Sequence, residues 1–408
     1  MHAIGGLPLQ PAELLALPLV VLAAWRLLRH TPRIVWTNVD TGVLAWLAAV
    51  VTGAGWFLLR AGAADASVVG DLAVTLYLAL LYFAIRVLAG EGSVEAAPDA
   101  MVVGAAIASL LGAIGVAMSG FGIDTPLTLT AEYPYIGSVA RARALTATPN
   151  MLASIQMLAL LLLAARAAPL RGPGTRRLAA GVLATGLAFT YSKTVVPLAV
   201  GLAVVWALSL RATSRGVRAG LAASWLAAAA IFAVLSHYVL VCDAAQRGPL
   251  ERAMSIAGEP GLRLDFMRRQ CDVYPTNYAF NKRASLIAIA RSWPWGIGPG
   301  RHPAFTQVLE REGLYPKTLW PGSPHSSYTG AAAELGLVGL VGLVAFLAGL
   351  TMGVRDTLRV EATRPLGVAA AAVLAALLIE AIATDVMHFR HYTWLAALVG
   401  SASARSRS

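Results

Sequence analysis

Long apolar runs recur along almost the whole of this 408-residue chain, and no other feature constrains its fold as tightly. A helix that crosses the hydrocarbon of a bilayer needs about 20 mostly apolar residues. Such runs occupy residues 12–29, 40–60, 68–89, 101–120, 150–168, 177–192, 194–210, 219–241, 329–353, 364–384 and 391–404. The expected count is about 11 spans, with a range of 10–12, because 177–192 and 391–404 are short and 177–192 and 194–210 lie close enough to form one bent helix. Only 13% of the residues are charged, where soluble domains carry about a quarter. Helices in lipid pair every backbone group internally, which is how so apolar a chain can fold. The expectation is an all-α polytopic membrane protein.

Three regions follow from this pattern: residues 1–241 with eight spans, a long polar segment at 242–328, and 329–408 with the C-terminal spans. The first apolar run ends in Arg26, Arg29 and Arg33, without the small-residue cleavage site of a signal peptide, and reads as a retained span. The formal net charge of +11 raises nucleic acid as a partner. Much of that charge sits in short loops between spans, and no nucleic-acid motif accompanies it, so none is expected. Arg26, Arg29 and Arg33, then Arg166, Arg171, Arg176 and Arg177, then Arg211, Arg215 and Arg218, then Arg355, Arg359 and Arg364 all fall on one side when spans alternate. Basic loops stay in the cytoplasm. The C-terminus is then cytoplasmic, and the 122–149 loop, the 191–194 turn, the 242–328 segment and the 385–391 turn face outward.

Chemistry-bearing residues collect on that outward side. In the long segment, Asn281 to Trp293 places Ala284, Ile287, Ala288 and Arg291 at helical spacing beside Arg283, as in an amphipathic interfacial helix. Trp293 and Trp295 are its headgroup-level anchors, and the following Pro and Gly residues of PWGIGPG enforce a turn. His325 stands just before the ninth span, where Ser326 or Ser327 caps the helix, and its imidazole exchanges protons near neutral pH. A lone His at a helix start is also commonly an ordinary polar residue. Glu334 lies inside the apolar run, where an acid is costly and normally faces a protein interior. The turn holding Asp385, His388, Arg390 and His391 is either a functional cluster or a structural ion-pair network. Lys193 in a Tyr-Ser-Lys turn, and Arg141 and Arg143 ahead of Thr148-Pro149-Asn150, complete the set. Cys242 and Cys271 both fall around the polar segment and are either free thiols or a disulfide. No Cys/His spacing or D-x-D pair points to a metal, and no cofactor is expected.

Basic groups suited to phosphate and a histidine suited to general-base work, set beside a membrane, favour an anionic lipid headgroup as substrate. From about residue 140 onward the chain resembles the O-antigen ligase and O-antigen polymerase superfamily. The elements of the resemblance are Thr148-Pro149-Asn150 opening a span, Tyr191-Ser192-Lys193, Arg283 followed by WPWGIGPG, PHSSY followed by ELGLVGL, and the terminal HFRHYTWL. It implies a GT-C-like helical fold in a bacterial inner membrane and metal-independent transfer of saccharide on the outer face. The implied donor is an undecaprenyl-diphosphate-linked oligosaccharide, and the acceptor a glycan or a lipid. It further implies that Arg283 binds the diphosphate with Lys193, and that His325 activates the acceptor hydroxyl. The family commonly has Ser-Arg-Gly where this chain has Ser192-Lys193-Thr194, so the bidentate fork of an arginine is lost there. Polymerase and ligase share the pattern, and a polymerase is slightly favoured. A transporter or lipid flippase using Asp71, Glu334 and Glu380 is the competing expectation.

Overall fold

A computed structural model of the chain describes residues 3–4, 7–8, 11–29, 34–62, 65–89, 93–133, 137–170, 172–210, 214–242, 262–266, 269–317, 319 and 322–405. Arg33, Arg171 and Arg211 of the basic loops, and residues 243–261 of the long polar segment, lie outside the described residues. After a short pairing of β1 (Ala3–Ile4) with β2 (Leu7–Pro8) come α1 (Pro11–Arg29), α2 (Asn38–Ala61), α3 (Ala66–Leu88) and α4 (Ser93–Gly120). A hairpin of β3 (Thr128–Tyr133) and β4 (Gly137–Ala142) leads to α5 (Pro149–Ala164), α6 (Pro173–Phe189), α7 (Val195–Ser209) and α8 (Arg215–His237). β5 (Tyr238–Val241) closes the eighth apolar run, and the polar segment contributes β6 (Leu262–Phe266), β7 (Arg269–Pro275), α9 (Asn277–Ser292) and α10 (His302–Arg311). The chain finishes with α11 (Ser327–Arg359), α12 (Arg364–Glu380) and α13 (Arg390–Arg405).

The chain is a predominantly helical, membrane-embedded protein. Among the described residues α2, α3, α4 (from Glu95), α8 and α11 are long and apolar enough to cross a bilayer, while α5 and α7 are shorter apolar helices. Every expected apolar run carries a helix, and a turn at residues 190–194 separates α6 from α7 rather than leaving one bent rod. The outward faces stay apolar: Leu59 is 84% exposed, Leu178 68% and Val344 65%. Water would penalise such surfaces, and lipid does not.

Local signals fix the helix ends. Thr37 caps α2 in a reciprocal box with Asp40, and Gly62 stops that helix in the left-handed conformation. Thr148 accepts the Met151 N–H while Pro149 takes the first turn of α5, where its missing N–H costs nothing. Ser326 accepts the Thr329 N–H at the start of α11. Strands that a purely helical reading omits also form. β3 and β4 pair antiparallel, and β7 pairs with both β5 and β6 in a three-stranded sheet. Cys242 and Cys271 are joined as a disulfide beside that sheet.

The main core is a single cluster of small and branched residues from several helices, with Tyr82, Leu158, Leu161, Ala369, Val373 and Ala396 almost wholly buried. Contacts sort the helix ends into two groups. At one end the start of α2 meets the ends of α3 and α13 through Asp40, Arg86 and Ser401, and Ser403 of α13 meets Asp356 of α11. At the other end Asp65 meets Arg301, Asp71 meets His388, α5 meets the end of α12 through Ser154 and Glu380, and the start of α11 meets the 381–389 turn.

Candidate functional site

A cavity of about 400 Å³ opens at this second end of the bundle. Its wall is assembled from β4, the first turn of α5, the α6–α7 turn, the end of α8 and the start of α9. Arg141 reaches in from β4, donating from Nε to the Thr190 carbonyl at 2.7 Å and from Nη2 to Asn150 Oδ1 at 3.0 Å. Asn150 is held in turn by Ser192 Oγ at 3.2 Å, and its Nδ2 donates to Tyr278 Oη at 3.3 Å. Ser192 and Thr194 share a hydrogen bond at 2.8 Å. The Thr-Pro-Asn and Tyr-Ser-Lys segments, far apart in sequence, thus form one polar wall.

Lys193 stands in the same wall, its Nζ donating to the Leu235 carbonyl. The side chain is open to the cavity yet surrounded by protein, which together with the nearby Arg141 charge lowers its pKa to about 8. Two cations held this close repel, and an anion placed between them relieves that repulsion. Tyr278 lies at the inner edge, with burial pushing its phenol upward. Its ring packs between His237, at 6.5 Å edge to face, and His325, at 4.4 Å between centroids. His325 itself does not line the cavity; it sits one ring further in, in a left-handed conformation (φ 50°). Burial, with the charges of His302, His237 and Lys282 adding to it and Asp385 opposing, lowers its pKa to about 4. The imidazole is therefore neutral at neutral pH, and the same burial makes it a weaker base than a free histidine.

The loop carrying His325 is positioned by an interlock between PWGIGPG and α11. That helix breaks at Gly336, whose φ of 65° and ψ of −143° are open to glycine but not to a side chain. The break frees the carbonyls of Ala333 and Glu334, which accept from the N–H groups of Ile297 and Gly298, each at 2.9 Å. Leu337 N–H donates back to the Pro294 carbonyl at 2.8 Å. Backbone groups that lipid could not satisfy are paired with a loop instead. Glu334 Oε1 accepts the His302 N–H at 3.0 Å. The His302 ring is buried against Ser285, Asn281 and Gly322, and burial depresses its pKa.

The 385–391 turn splits into two arrangements. His388 bridges Asp71 (Nε2, 3.1 Å) and Asp385 (Nδ1, 3.3 Å). Burial opposes its protonation, but the two carboxylates outweigh that and raise its pKa well above the ordinary range. Burial likewise works against ionising Asp385, yet His388 and the donors Ser327 and Met387 hold its pKa below the usual value. His391, by contrast, meets Ser154 Oγ at 2.9 Å, and Ser154 joins Glu380 and Tyr392 in one buried network. Arg390 and His391 line a separate groove on the side of the bundle.

Of the expected site residues, Arg141 and Lys193 line the cavity, and His325 stands one ring behind it. Arg143 turns away and donates to the Pro126 carbonyl at 2.9 Å. Arg283 projects from the exposed face of α9, outside the cavity lining. Its neighbour Lys282 instead faces inward, donating to the Ile382 carbonyl at 2.6 Å, and burial lowers its pKa. The phase of α9 could have revealed this: Asn281, Ala284, Ser285 and Ala288 are the buried stripe, and Lys282 lies three residues from Ser285. Trp293 and Trp295 are about half exposed, and Trp295 stacks on Trp56 at 4.2 Å. Among the described residues no His, Cys, Asp and Glu group is arranged to hold a metal ion. No protein-family model matches the sequence, and no curated protein matches it.

Proposed function

We propose that the chain is a membrane glycosyltransferase that polymerises or transfers saccharides from undecaprenyl-diphosphate-linked donors in O-antigen or surface-polysaccharide assembly. The observation that carries this reading is the convergence of Arg141, Lys193 and the Asn150, Ser192 and Thr194 side chains on one cavity. A diphosphate needs several donors and positive charge, and this wall supplies both. The acceptor hydroxyl attacks the anomeric carbon, the bond from that carbon to the diphosphate breaks, and the hydroxyl proton passes inward past the Tyr278 edge to His325. Arg141 and Lys193 hold the charge of the departing lipid diphosphate. Arg283, the residue the resemblance assigns to the diphosphate, lies outside this cavity lining, so Arg141 and Lys193 take that role here, and Lys282 stands behind them on the Ile382 carbonyl. Polymerisation is favoured over ligation, as the broader class within the resembled family.

In this reading about 11 helices cross a bacterial inner membrane in a GT-C-like arrangement, with the cavity outside and the C-terminus in the cytoplasm. Supporting the orientation, Arg26, Arg29, Arg166, Arg176, Arg177, Arg355 and Arg359 all flank the end opposite the cavity. The Cys242–Cys271 disulfide suits an oxidising compartment.

A second reading, a transporter or lipid flippase, draws on the break in α11, on the buried Glu380 and on the partly buried carboxylates Asp71 and Glu334. The test separates the two. Proteoliposomes holding the full chain receive a diphosphate-linked oligosaccharide, with and without acceptor. Glycosyl transfer yields a product ladder that Arg141→Ala and His325→Ala abolish. Ion-coupled movement of the lipid without any new glycosidic bond contradicts the enzyme and supports the transporter.

A further inference from the structure

A groove of about 360 Å³ runs along the flank of the bundle between α4, α5 and α13, separate from the polar cavity. Met101, Leu158 and Trp394 are among the apolar side chains along it, and Arg390 and His391 are its ionisable members. None of the described residues lining it is acidic. Arg390 opens α13 at the cavity end of the bundle, so the positive group sits at the mouth and the apolar wall continues toward the middle of the helices. His391 meets Ser154, which Glu380 and Tyr392 hold in turn, so this wall cannot collapse into the space without breaking a buried polar network. Ile107 on α4 is 54% exposed, which places the groove beside the outward apolar surface.

Positive charge at a membrane surface above a narrow apolar channel matches one kind of molecule, an amphiphile with an anionic head and a hydrocarbon chain. We propose that this groove holds one acyl chain of a phosphate-headed membrane phospholipid, with Arg390 on the phosphate. A guanidinium meets phosphate oxygens with paired N–H donors, and the chain replaces the contacts the groove walls otherwise lack. The site is independent of glycosyl transfer and exists equally in a transporter. It bears on the polar cavity through α5, because Met151 lines the groove while the adjacent Asn150 lines the cavity. The bound lipid is a wedge that fixes the first turn of α5, and with it the Arg141–Asn150 pair.

The experiment uses the full chain in nanodiscs containing phosphatidylglycerol with a photoreactive group on one acyl chain. A diacylglycerol carrying the same group but no phosphate serves as the control. The phosphate-bearing probe labels peptides from α4, α5 and α13, and the control labels them weakly. Arg390→Gln reduces the labelling by about tenfold or more, as expected for loss of a charged hydrogen bond. Gly104→Phe removes it by filling the groove; a Cβ on Gly104 meets nothing within 4 Å, so this variant folds and keeps the test decisive. Millimolar inorganic phosphate leaves the labelling unchanged. Equal labelling by the phosphate-free probe, indifference to both variants, or displacement by inorganic phosphate overturns the proposal. So does displacement by stoichiometric polyprenyl diphosphate, which identifies a donor site instead.

Discussion

At the end of the bundle where α2 begins, Asp40 accepts from Thr37, from Tyr82 at 2.7 Å, and from two nitrogens of Arg86 at 3.0 Å each. Arg86 also donates to the Val35 carbonyl and to Ser401. Both side chains are nearly inaccessible, and charge and hydrogen bonds close on themselves. At the opposite end Arg141 and Lys193 face a cavity, each anchored to a carbonyl and, among the described residues, neither paired there with a carboxylate. The first arrangement has no capacity left for a ligand; it ties helices together. The second leaves like charges side by side, a state an incoming anion improves. Buried charge is thus a poor guide to function by itself, and what distinguishes the ends is whether the charge is already answered.

The comparison breaks most visibly at the closed end. Arg86→Ala strands the Asp40 carboxylate inside the bundle and costs about 3–5 kcal/mol, read as a lower unfolding midpoint in detergent, while activity per folded molecule is retained. Next in size is Gly336→Val, which forces a branched side chain into a positive-φ site where even a Cβ overlaps the Pro294 carbonyl. The expected loss is about 3 kcal/mol, and hydrogen exchange at Ile297 and Gly298 rises with it.

At the open end the effects move from stability to ligand. Lys193→Ala weakens binding of the diphosphate-linked donor by about tenfold to a hundredfold without lowering the unfolding midpoint, and Lys193→Arg restores much of it. The pH dependence sharpens the assignment. The Lys193 ammonium is charged below its pKa of about 8 and neutral above it, so donor affinity is full at lower pH and falls as pH rises through that value. Bound anion extends the charged range upward, and Lys193→Arg removes the alkaline step because a guanidinium stays protonated. The smallest effect belongs to Arg263, paired with Asp272 on the exposed face of the small sheet. Arg263→Ala leaves both unfolding and donor binding unchanged.

How much of this was legible beforehand varies by scale. Helices at the expected segments, a serine cap ahead of α11 (Ser326 or Ser327 by sequence, Ser326 in the structure) and the Thr148-Pro149 start of α5 are all visible, because length, periodicity and capping chemistry are local. So was the gathering of Arg141, Lys193 and His325 near one end. The strands around the cavity were not, since the pairing of β3 with β4 and of β5 with β7 is set by tertiary contacts. The role of Lys282 over Arg283 depends on helix phase, which a motif centred on arginine overlooks. Nor does anything near Asp71 announce His388 as its partner, or Ser154 announce Glu380. Such pairs exist only once α3, α5 and α12 are packed. The break at Gly336 falls inside an unbroken apolar run, and only the PWGIGPG loop that fills it gives it a purpose.

The most direct test of the account compares His325→Ala with Arg86→Ala in one transfer assay, using a diphosphate-linked oligosaccharide donor and normalising to folded protein. Loss of a general base reduces the rate by about a hundredfold or more, so His325→Ala is expected to fold normally and form almost no product, while Arg86→Ala folds poorly but transfers at the parent rate per folded molecule. Transfer by His325→Ala at the parent rate, or loss of transfer only in step with loss of folded protein, contradicts the division between a closed structural end and an open chemical one.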